Sequence, residues 1–249
     1  MTLREHRRPY KSALRFDALA WAYDRVAMRI VRARTWRPAL VDAIAPTPGQ
    51  RILDLGCGTG SLSLLLKARC PEAEIIGIDP DPAMLLRARR KAEAAGWKLP
   101  LIVASATALP TEPPLDQAMD VCVASLMLHH LNRTEKQAAL VEMVRMLKPG
   151  GRLLIADWGP PRTPLGRLGF FITQLFDGFA TTRDHATGAF LDLVSAAGLN
   201  PVSELGRWPT PVGVLCLYAA RKPDAVDAAK PAPAIGSAAS RLGQSPRSI

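Results

Sequence analysis

The run Arg51-Ile-Leu-Asp-Leu-Gly-Cys-Gly-Thr-Gly60 decides the fold of this 249-residue chain. It begins as an apolar segment, passes Asp54 and reaches a turn with glycine at every second position. Glycine lets a backbone turn tightly and approach a ligand where a Cβ would clash. The run therefore predicts a strand, then a ligand-binding turn that opens a helix.

A second carboxylate, Asp79, ends the next apolar stretch at residues 75–79. An acidic side chain at the carboxyl end of a neighbouring strand can accept both hydroxyl protons of a ribose. The two segments together predict a nucleoside cofactor.

The glycine spacing indicates which nucleoside this is. A dinucleotide turn needs Gly-x-Gly-x-x-Gly, and the third glycine position is occupied here by Ser61. Asp54, two residues before the first glycine, would repel a pyrophosphate and attract an ammonium group. S-adenosylmethionine carries such an ammonium, so we predict this cofactor, with Asp54 orienting its amino group; the alternative is that Asp54 only caps the turn.

Further motifs follow in a fixed order. They are Phe16-Asp17 with Tyr23-Asp24, Ala108-Leu109-Pro110, Asp120-Val-Cys-Val-Ala-Ser-Leu-Met-Leu-His-His130, Leu147-Lys-Pro-Gly-Gly-Arg-Leu-Leu-Ile-Ala-Asp157 and Ala197-Gly198-Leu199. With them, most of residues 14–221 resembles the class I S-adenosylmethionine-dependent methyltransferases, in the branch similar to the ubiquinone and menaquinone methyltransferases.

Strand-length apolar segments alternate with helix-length segments, which predicts an α/β fold. The expected strands are residues 51–55, 75–79, 101–104, 120–124, 152–156, 202–206 and 212–219. The short connection at 207–211 favours an antiparallel final hairpin. We therefore predict a Rossmann-like, seven-stranded mixed sheet with helices on both faces and an antiparallel last strand, plus an amino-terminal helix and a lid insertion.

The predicted domain organisation has three parts. Residues 1–45 form a basic helical cap, residues 46–222 form the cofactor-binding methyltransferase domain with a lid at 160–185, and residues 223–249 form a disordered tail. The tail is rich in Ala, Pro, Ser and Gly and contains no aromatic residue, so it cannot bury enough apolar area to offset its ordering entropy.

Positive charge is concentrated at the amino terminus. The chain has a net charge of +10, and residues 1–37 contain ten arginines and lysines against three acids. Within residues 14–33 an apolar stripe (Leu19, Tyr23, Val26, Ile30) accompanies a basic stripe (Arg25, Arg29, Arg32). A solvated helix face is the favoured interpretation, and contact with an anionic membrane is the alternative.

Composition also bounds partners and compartment. No nucleic-acid-binding module is evident, so no nucleic-acid partner is predicted. We find no secretory signal and no apolar segment long enough to span a membrane. The four cysteines are not spaced as a disulfide framework or metal site, so we expect no metal and a cytoplasmic protein. Peripheral association with an anionic membrane is the alternative, and the sequence does not indicate an oligomeric state.

The carboxyl ends of parallel strands meet at one edge of the sheet, where ligands bind. The predicted cofactor-binding residues there are Asp54, Gly56, Gly58, Gly60, Asp79, Pro80, Ser105, Ala106 and Ser125. The resemblance implies an Asp-Ala pair where this chain has Ser105-Ala106. Ser105 can accept the same hydrogen bond from the adenine amino group but brings no charge.

Methyl transfer is a direct displacement, so the protein mainly aligns the reacting atoms and excludes water. A base is optional for an amine; for a phenol or aromatic carbon, His129, His130 or Asp157 could remove the proton. We name His130, Asp157 and Tyr23 as catalytic candidates; for His130 the alternative is a structural role in the loop. Adjacent His129 and His130 are not expected to bind one metal ion.

Segment 165–179 holds four of the six phenylalanines. Leu165, Leu168, Phe171, Leu175 and Phe179 fall on one helical stripe, which is usually core. Gly166, Gly169 and Gly178 weaken a rigid core helix, so an aromatic lid closed by Trp21 and Tyr23 is the second interpretation.

The predicted function is S-adenosylmethionine-dependent methylation of a small, lipophilic acceptor with a quinol- or phenol-like ring. One alternative is N-methylation of a phospholipid amine. Another is a non-catalytic, cofactor-binding regulatory subunit, which the substitution at Ser105 keeps open.

Overall fold

A computed structural model of the protein describes residues 33–111 and 115–224. The strands are β1 (Arg51–Leu55), β2 (Glu74–Asp79), β3 (Leu101–Val103), β4 (Met119–Ser125), β5 (Leu147–Gly159), β6 (Ser203–Thr210) and β7 (Gly213–Arg221). The helices are α1 (Ala33–Ile44), α2 (Ser61–Arg69), α3 (Pro82–Ala94), α4 (Arg133–Met146), α5 (Pro164–Asp177), α6 (Phe179–Thr187) and α7 (Phe190–Ala196), with a short 3-10 helix at Leu128–His130.

The described strands form one seven-stranded sheet in the order β3-β2-β1-β4-β5-β7-β6. The five strands from β1 to β5 pair in parallel, whereas β7 is antiparallel to both β5 and β6. The predicted Rossmann-like mixed sheet with an antiparallel last strand is confirmed.

Both faces of the sheet are covered. In β1 the side chains alternate between two apolar cores: Leu53 and Leu55 belong to one, and Ile52 belongs to the other. All three are fully buried. A central parallel strand buried on both faces needs such a continuous apolar run, which explains why β1 was recognisable from its sequence.

Two strand boundaries differ from the prediction by four residues or more. β5 begins at Leu147 rather than at residue 152, and β6 continues to Thr210, so the predicted loop at 207–211 is wrong. Pro209 interrupts no ladder because β6 is the edge strand of the sheet. Only Pro211 and Val212 separate β6 from β7.

Helix α1 occupies the end of the predicted amino-terminal segment 1–45. Its Trp36, Leu40 and Ile44 are buried in the core, and the Arg152 guanidinium donates to the carbonyl oxygen of Ile44 at 2.6 Å. This helix is therefore part of the apolar core on one face of the sheet. Residues 1–32, including Trp21 and Tyr23, and residues 225–249 of the predicted tail lie outside the described residues.

Segment 160–185 contains helices α5 and α6, which meet at Gly178. Thr163 caps α5 by accepting a hydrogen bond from the Gly166 amide at 3.0 Å. The buried face of α5 consists of Gly169, Phe170 and Thr173. A Cβ at Gly169 would stand 2.6 Å from the Pro211 carbonyl oxygen, so glycine allows α5 to approach the β6–β7 turn.

The opposite side of this segment is exposed and apolar. The α5 apolar face consists of Leu165, Leu168, Phe171, Ile172, Leu175, Phe176 and Phe179, each at least 42% exposed. The interpretation of this stripe as core is therefore wrong. None of the helices in the described ranges is both long enough and apolar enough to cross a bilayer.

Candidate functional site

The glycine turn joins β1 to α2. Gly56, Gly58 and Gly60 have φ angles of 68°, 52° and 72°, a left-handed region that L-residues with a Cβ avoid. A Cβ at Gly56 would also lie 2.8 Å from the Met127 side chain. The predicted turn forms, and it packs against the loop that follows β4.

Asp79 stands at the end of β2 beside this turn. Its carboxylate accepts hydrogen bonds from the backbone amides of Gly58 and Asp81, each at 2.9 Å. Burial raises the pKa of Asp79, and the two amide hydrogen bonds oppose that rise. The carboxylate thus fixes the turn, and its contact with a ribose stays a prediction.

Asp54 lies one strand away and is fully buried. Its Oδ2 accepts from the Ser63 hydroxyl at 2.6 Å, whereas Oδ1 has no hydrogen-bond partner within the described chain. Burial raises the pKa of this carboxyl to about 6, against the opposing effects of Ser63 and Arg37. An unpartnered buried acceptor fits the ammonium group of S-adenosylmethionine, which would supply the missing donor.

Ser105 and Ala106 follow β3. The Ser105 hydroxyl lies 2.9 Å from that of Thr107 and accepts from the Thr107 amide at 3.3 Å. Ser105 therefore organises its own turn, and its predicted contact with adenine remains a prediction. Ala106 is buried.

Pro80 follows β2, and Ser125 ends β4. Both are half-buried at the same edge of the sheet, so the structure brings the predicted cofactor residues together. Burial, followed by the charge of Asp54, raises the pKa of the Cys57 thiol, which keeps it protonated and agrees with a packing role.

Asp157, in β5, is the centre of a second polar cluster. One oxygen lies 2.6 Å from Nδ1 of His129 and accepts from the Trp158 amide at 2.7 Å. The other accepts from the amides of Leu128 and His129 at 3.0 and 3.3 Å. Asp157 is therefore buried with both oxygens engaged, and it holds the 3-10 helix and the His129 ring in place.

Charges in this cluster depend on one another. Burial opposes a charge on both His129 and Asp157, but their mutual attraction raises the pKa of His129 and lowers that of Asp157. His130 responds in the opposite direction: repulsion from the charge on His129 lowers its pKa to about 3. Its side chain is 58% exposed, and its Nδ1 lies 3.7 Å from Asp177.

Asp177, at the end of α5, faces both imidazoles. One carboxylate oxygen lies 3.6 Å from Nε2 of His129, and the other is the atom near His130. Sequence reasoning named His130 and Asp157 but assigned no role to Asp177. Asp177 is distant in sequence from both histidines, and the helix that carries it was predicted only from its apolar pattern. Its position beside the histidines follows from the packing of α5 against the 3-10 helix.

A buried ion pair between Lys136 and Asp184 lies next to this polar cluster. Lys136, in α4, is fully buried; its ammonium donates to the Thr181 carbonyl and lies 3.3 Å from Asp184. Asp184 also pairs with Arg133. Both acceptors belong to α6, so these contacts fix α6 against α4; neither lysine nor aspartate was singled out by its sequence context.

His185, also in α6, completes the cluster. Its Nδ1 lies 2.8 Å from the Trp158 carbonyl oxygen, and its ring stacks on Phe190 with centroids 4.4 Å apart. Burial lowers the pKa of His185 to about 4, so the ring is neutral and donates to that carbonyl. The third catalytic candidate, Tyr23, lies outside the described residues.

The glycine turn, its two carboxylates and the sheet order agree with the resemblance that the sequence motifs indicate. Residues 52–151 match the family described as "Methyltransferase domain". This part of the chain is therefore similar to a methyltransferase domain.

Curated relatives carry similar names. The chain is 43% identical over 141 residues to the demethylmenaquinone methyltransferase of Thermus thermophilus, covering 57% of this chain and 61% of that one. It is 36% identical over 153 residues to a ubiquinone/menaquinone biosynthesis C-methyltransferase of Syntrophotalea carbinolica, covering 60% and 62%. The match thus spans about three-fifths of these relatives.

Solved structures share the fold. An O-methyltransferase family protein of Burkholderia thailandensis superposes with a TM-score of 0.65 at 20% identity, covering 84% of this chain and 61% of that one. Phosphoethanolamine N-methyltransferase 2 of Haemonchus contortus, in complex with S-adenosylhomocysteine, gives 0.61 at 16% identity, covering 76% and 53%. These two structures share the fold of this chain, and the second was solved with the demethylated product of S-adenosylmethionine bound.

Proposed function

We propose that this protein transfers the methyl group of S-adenosylmethionine to a small, lipophilic acceptor with a quinol- or phenol-like ring. The observation that carries the proposal is the position of the His129–Asp157 pair beside the glycine turn, at the same edge of the sheet. Names of the curated relatives support a quinone-type acceptor.

The cofactor's contacts follow from the described side chains. Asp54 would accept from the amino group, Asp79 would accept from the ribose hydroxyls, and the turn at Gly56 to Gly60 would pass under the amino-acid moiety. Ser105 and Ala106 would border the adenine. The loop that carries His129 and His130 borders this turn through Met127, and its side chains would be available to an acceptor.

The acceptor's hydroxyl would enter at the histidine pair. His130 is the exposed member of the pair. Asp157 acts as a positioning residue because it holds His129 through its own hydrogen bonds. S-adenosylmethionine, when bound, would supply the methyl group and keep the electron pair of the broken carbon–sulfur bond on its sulfur. The acceptor's proton would pass to the exposed imidazole of His130.

We further propose that the α5 apolar face contacts an anionic membrane surface, from which a lipophilic acceptor is drawn. Charge complementarity supports this occupant: exposed Arg162, Arg167 and Arg183 flank the face, and the segment 1–37 adds further positive charge. Apolar insertion and electrostatic attraction act together at such surfaces.

A transfer assay tests the reaction. Methyl-labelled S-adenosylmethionine is incubated with the full chain and a demethylated naphthoquinol, a simple phenol or phosphoethanolamine. We expect label in the quinol or phenol, and at least a tenfold loss in Asp79→Ala. Label in the amine alone would favour the N-methyltransferase alternative. Cofactor binding without transfer to any acceptor would favour a regulatory subunit.

A further inference from the structure

Two carboxylates and two imidazoles converge where α5 meets the 3-10 helix. Asp157 and Asp177 have only histidines as ion-pair partners within 4.0 Å in the described ranges. Lys136 is the nearest buried cation, and Asp184 already neutralises it. The two carboxylates of this corner are thus paired only with imidazoles, which in their neutral form leave the corner negatively charged and are themselves metal ligands.

Three of these groups direct ligand atoms toward one point. They are Nε2 of His129, Nδ1 of His130 and a carboxylate oxygen of Asp177, and all three atoms lie within 4.8 Å of one another. The shortest distances to Asp177 are 3.6 Å from Nε2 of His129 to one carboxylate oxygen and 3.7 Å from Nδ1 of His130 to the other. Zinc–ligand bonds of about 2.0–2.1 Å put tetrahedral ligand atoms about 3.3 Å apart. The three atoms, which lie within 4.8 Å of one another, would therefore have to move closer by at most about 1.5 Å to hold one ion.

The surroundings of His129 match those of a metal ligand. A metal-binding imidazole usually donates its other ring N–H to a carboxylate, which fixes the tautomer and the ring orientation. Asp157 accepts that bond from Nδ1 at 2.6 Å, and three backbone amides hold Asp157 itself. Nε2 is thereby left as the ligand atom facing Asp177.

From the sequence, His129 and His130 were not expected to bind one metal ion, because the side chains of adjacent residues rarely point toward the same ion. The 3-10 helix changes that relation. It brings the centroids of the two rings to within 4.0 Å of each other. His129 is buried there, whereas His130 is exposed to solvent. The open side leaves room for further ligands, as in metal sites that take part in catalysis.

We propose that His129, His130 and Asp177 form a binding site for one divalent transition-metal ion of the zinc type. Two nitrogen ligands and one carboxylate suit zinc, cobalt(II) or iron(II) better than magnesium or calcium, which prefer oxygen ligands. Its use in methyl transfer rests on the proposed function: an ion there would bind the acceptor oxygen and ease the loss of its proton.

Metal titration of the untagged full chain tests the site. After treatment with EDTA and its removal, the protein is titrated with Zn²⁺ by calorimetry and with Co²⁺ by visible absorption. We expect one ion per chain and a cobalt spectrum with nitrogen ligation. His130→Ala and Asp177→Asn should each weaken binding at least about tenfold, and Asp157→Asn should weaken it about 10- to 100-fold.

Asp192→Asn, which alters an exposed carboxylate on α7, serves as the matched control and should bind as the wild type does. His130→Ala is the decisive variant because its exposed ring contributes little to packing. Equal affinity in the wild type, His130→Ala and Asp177→Asn would overturn the site, as would the absence of a bound ion. Transfer by EDTA-treated protein would then leave the proposed methyltransferase function standing, whereas metal binding without cofactor binding would overturn only that function.

Discussion

The Asp79 carboxylate accepts a hydrogen bond from the Gly58 amide at 2.9 Å and thereby couples the end of β2 to the turn after β1. The residue expected to hold the ribose also sets the shape of the glycine turn. Loss of this carboxylate should therefore affect every part of the cofactor that contacts either feature.

Asp79→Ala should bind S-adenosylmethionine, S-adenosylhomocysteine and methylthioadenosine about 10- to 100-fold more weakly, because charge-assisted hydrogen bonds contribute about 1.5–3 kcal/mol. Calorimetry with the three ligands measures this. Asp54→Asn provides the comparison: it should weaken the two ligands that carry an amino group and leave methylthioadenosine unchanged. Equal losses for all three ligands in Asp54→Asn would contradict contact with the amino group.

The pH dependence of cofactor binding should follow Asp54. Its pKa is about 6 in the free protein, and the ammonium prefers the ionised carboxylate. Affinity should rise as pH increases from 5 to 7 and then level off. Asp79 and Arg37 also act electrostatically on Asp54, so the control is Asp54→Asn, whose profile should be flatter. A steep profile in that variant would assign the titration to another group.

The same carboxyl group should make the free energy of unfolding decrease as pH rises, whereas it makes the affinity for the cofactor increase. The folded-state pKa is raised from 3.8 to about 6, so folding favours the protonated form, and stability is lost as pH rises from about 4 to about 6. At pH 7 the ionised, buried group costs up to about 3 kcal/mol. In urea titrations without cofactor, Asp54→Asn should therefore gain stability relative to the wild type between pH 4 and pH 7; a constant difference would be inconsistent with the raised pKa.

Most of the sheet and the cofactor edge could be predicted because their signals are local. Four of the strands from β1 to β5 are short apolar runs whose predicted limits lie within one residue of those observed, and the Asp81 cap with Pro82 at the start of α3 is confirmed by the hydrogen bond from the Ala83 amide. The glycine turn could be recognised because positive φ angles restrict its residues. Each of these features is encoded within about ten neighbouring positions.

The polar cluster could not be predicted in the same way. Whether His129 or His130 faces Asp157 depends on the phase of a 3-10 helix three residues long, which periodicity cannot fix. Asp177 and Lys136 acquire their environments only when α5 and α6 dock. The apolar stripe of α5 was equally ambiguous, because a periodic pattern identifies a face and does not tell whether protein covers it.

The ion pair between Lys136 and Asp184 should be a major anchor of α6. Asp184→Ala leaves two cations without their carboxylate, one of them buried, and should cost about 3–5 kcal/mol. Lys136→Met should cost less, because Asp184 keeps its pairing with Arg133 and the methionine fills the buried space. Urea unfolding of both variants measures this order, and a larger loss in Lys136→Met would contradict it.

The α5 apolar face should govern binding to anionic vesicles. Phe176 and Leu165 are 82% and 79% exposed, so replacing both by serine removes apolar area without disturbing the core. Sedimentation with vesicles containing phosphatidylserine should show at least a fivefold loss of binding for the double variant, with its melting temperature unchanged. Val141→Ser is the matched control, because Val141 is 56% exposed on α4 and lies outside the face. If the control and the double variant bind the vesicles equally well, the attraction comes from the basic segment 1–37 alone. If neither protein binds at low salt, the membrane proposal fails, while cofactor binding is unaffected.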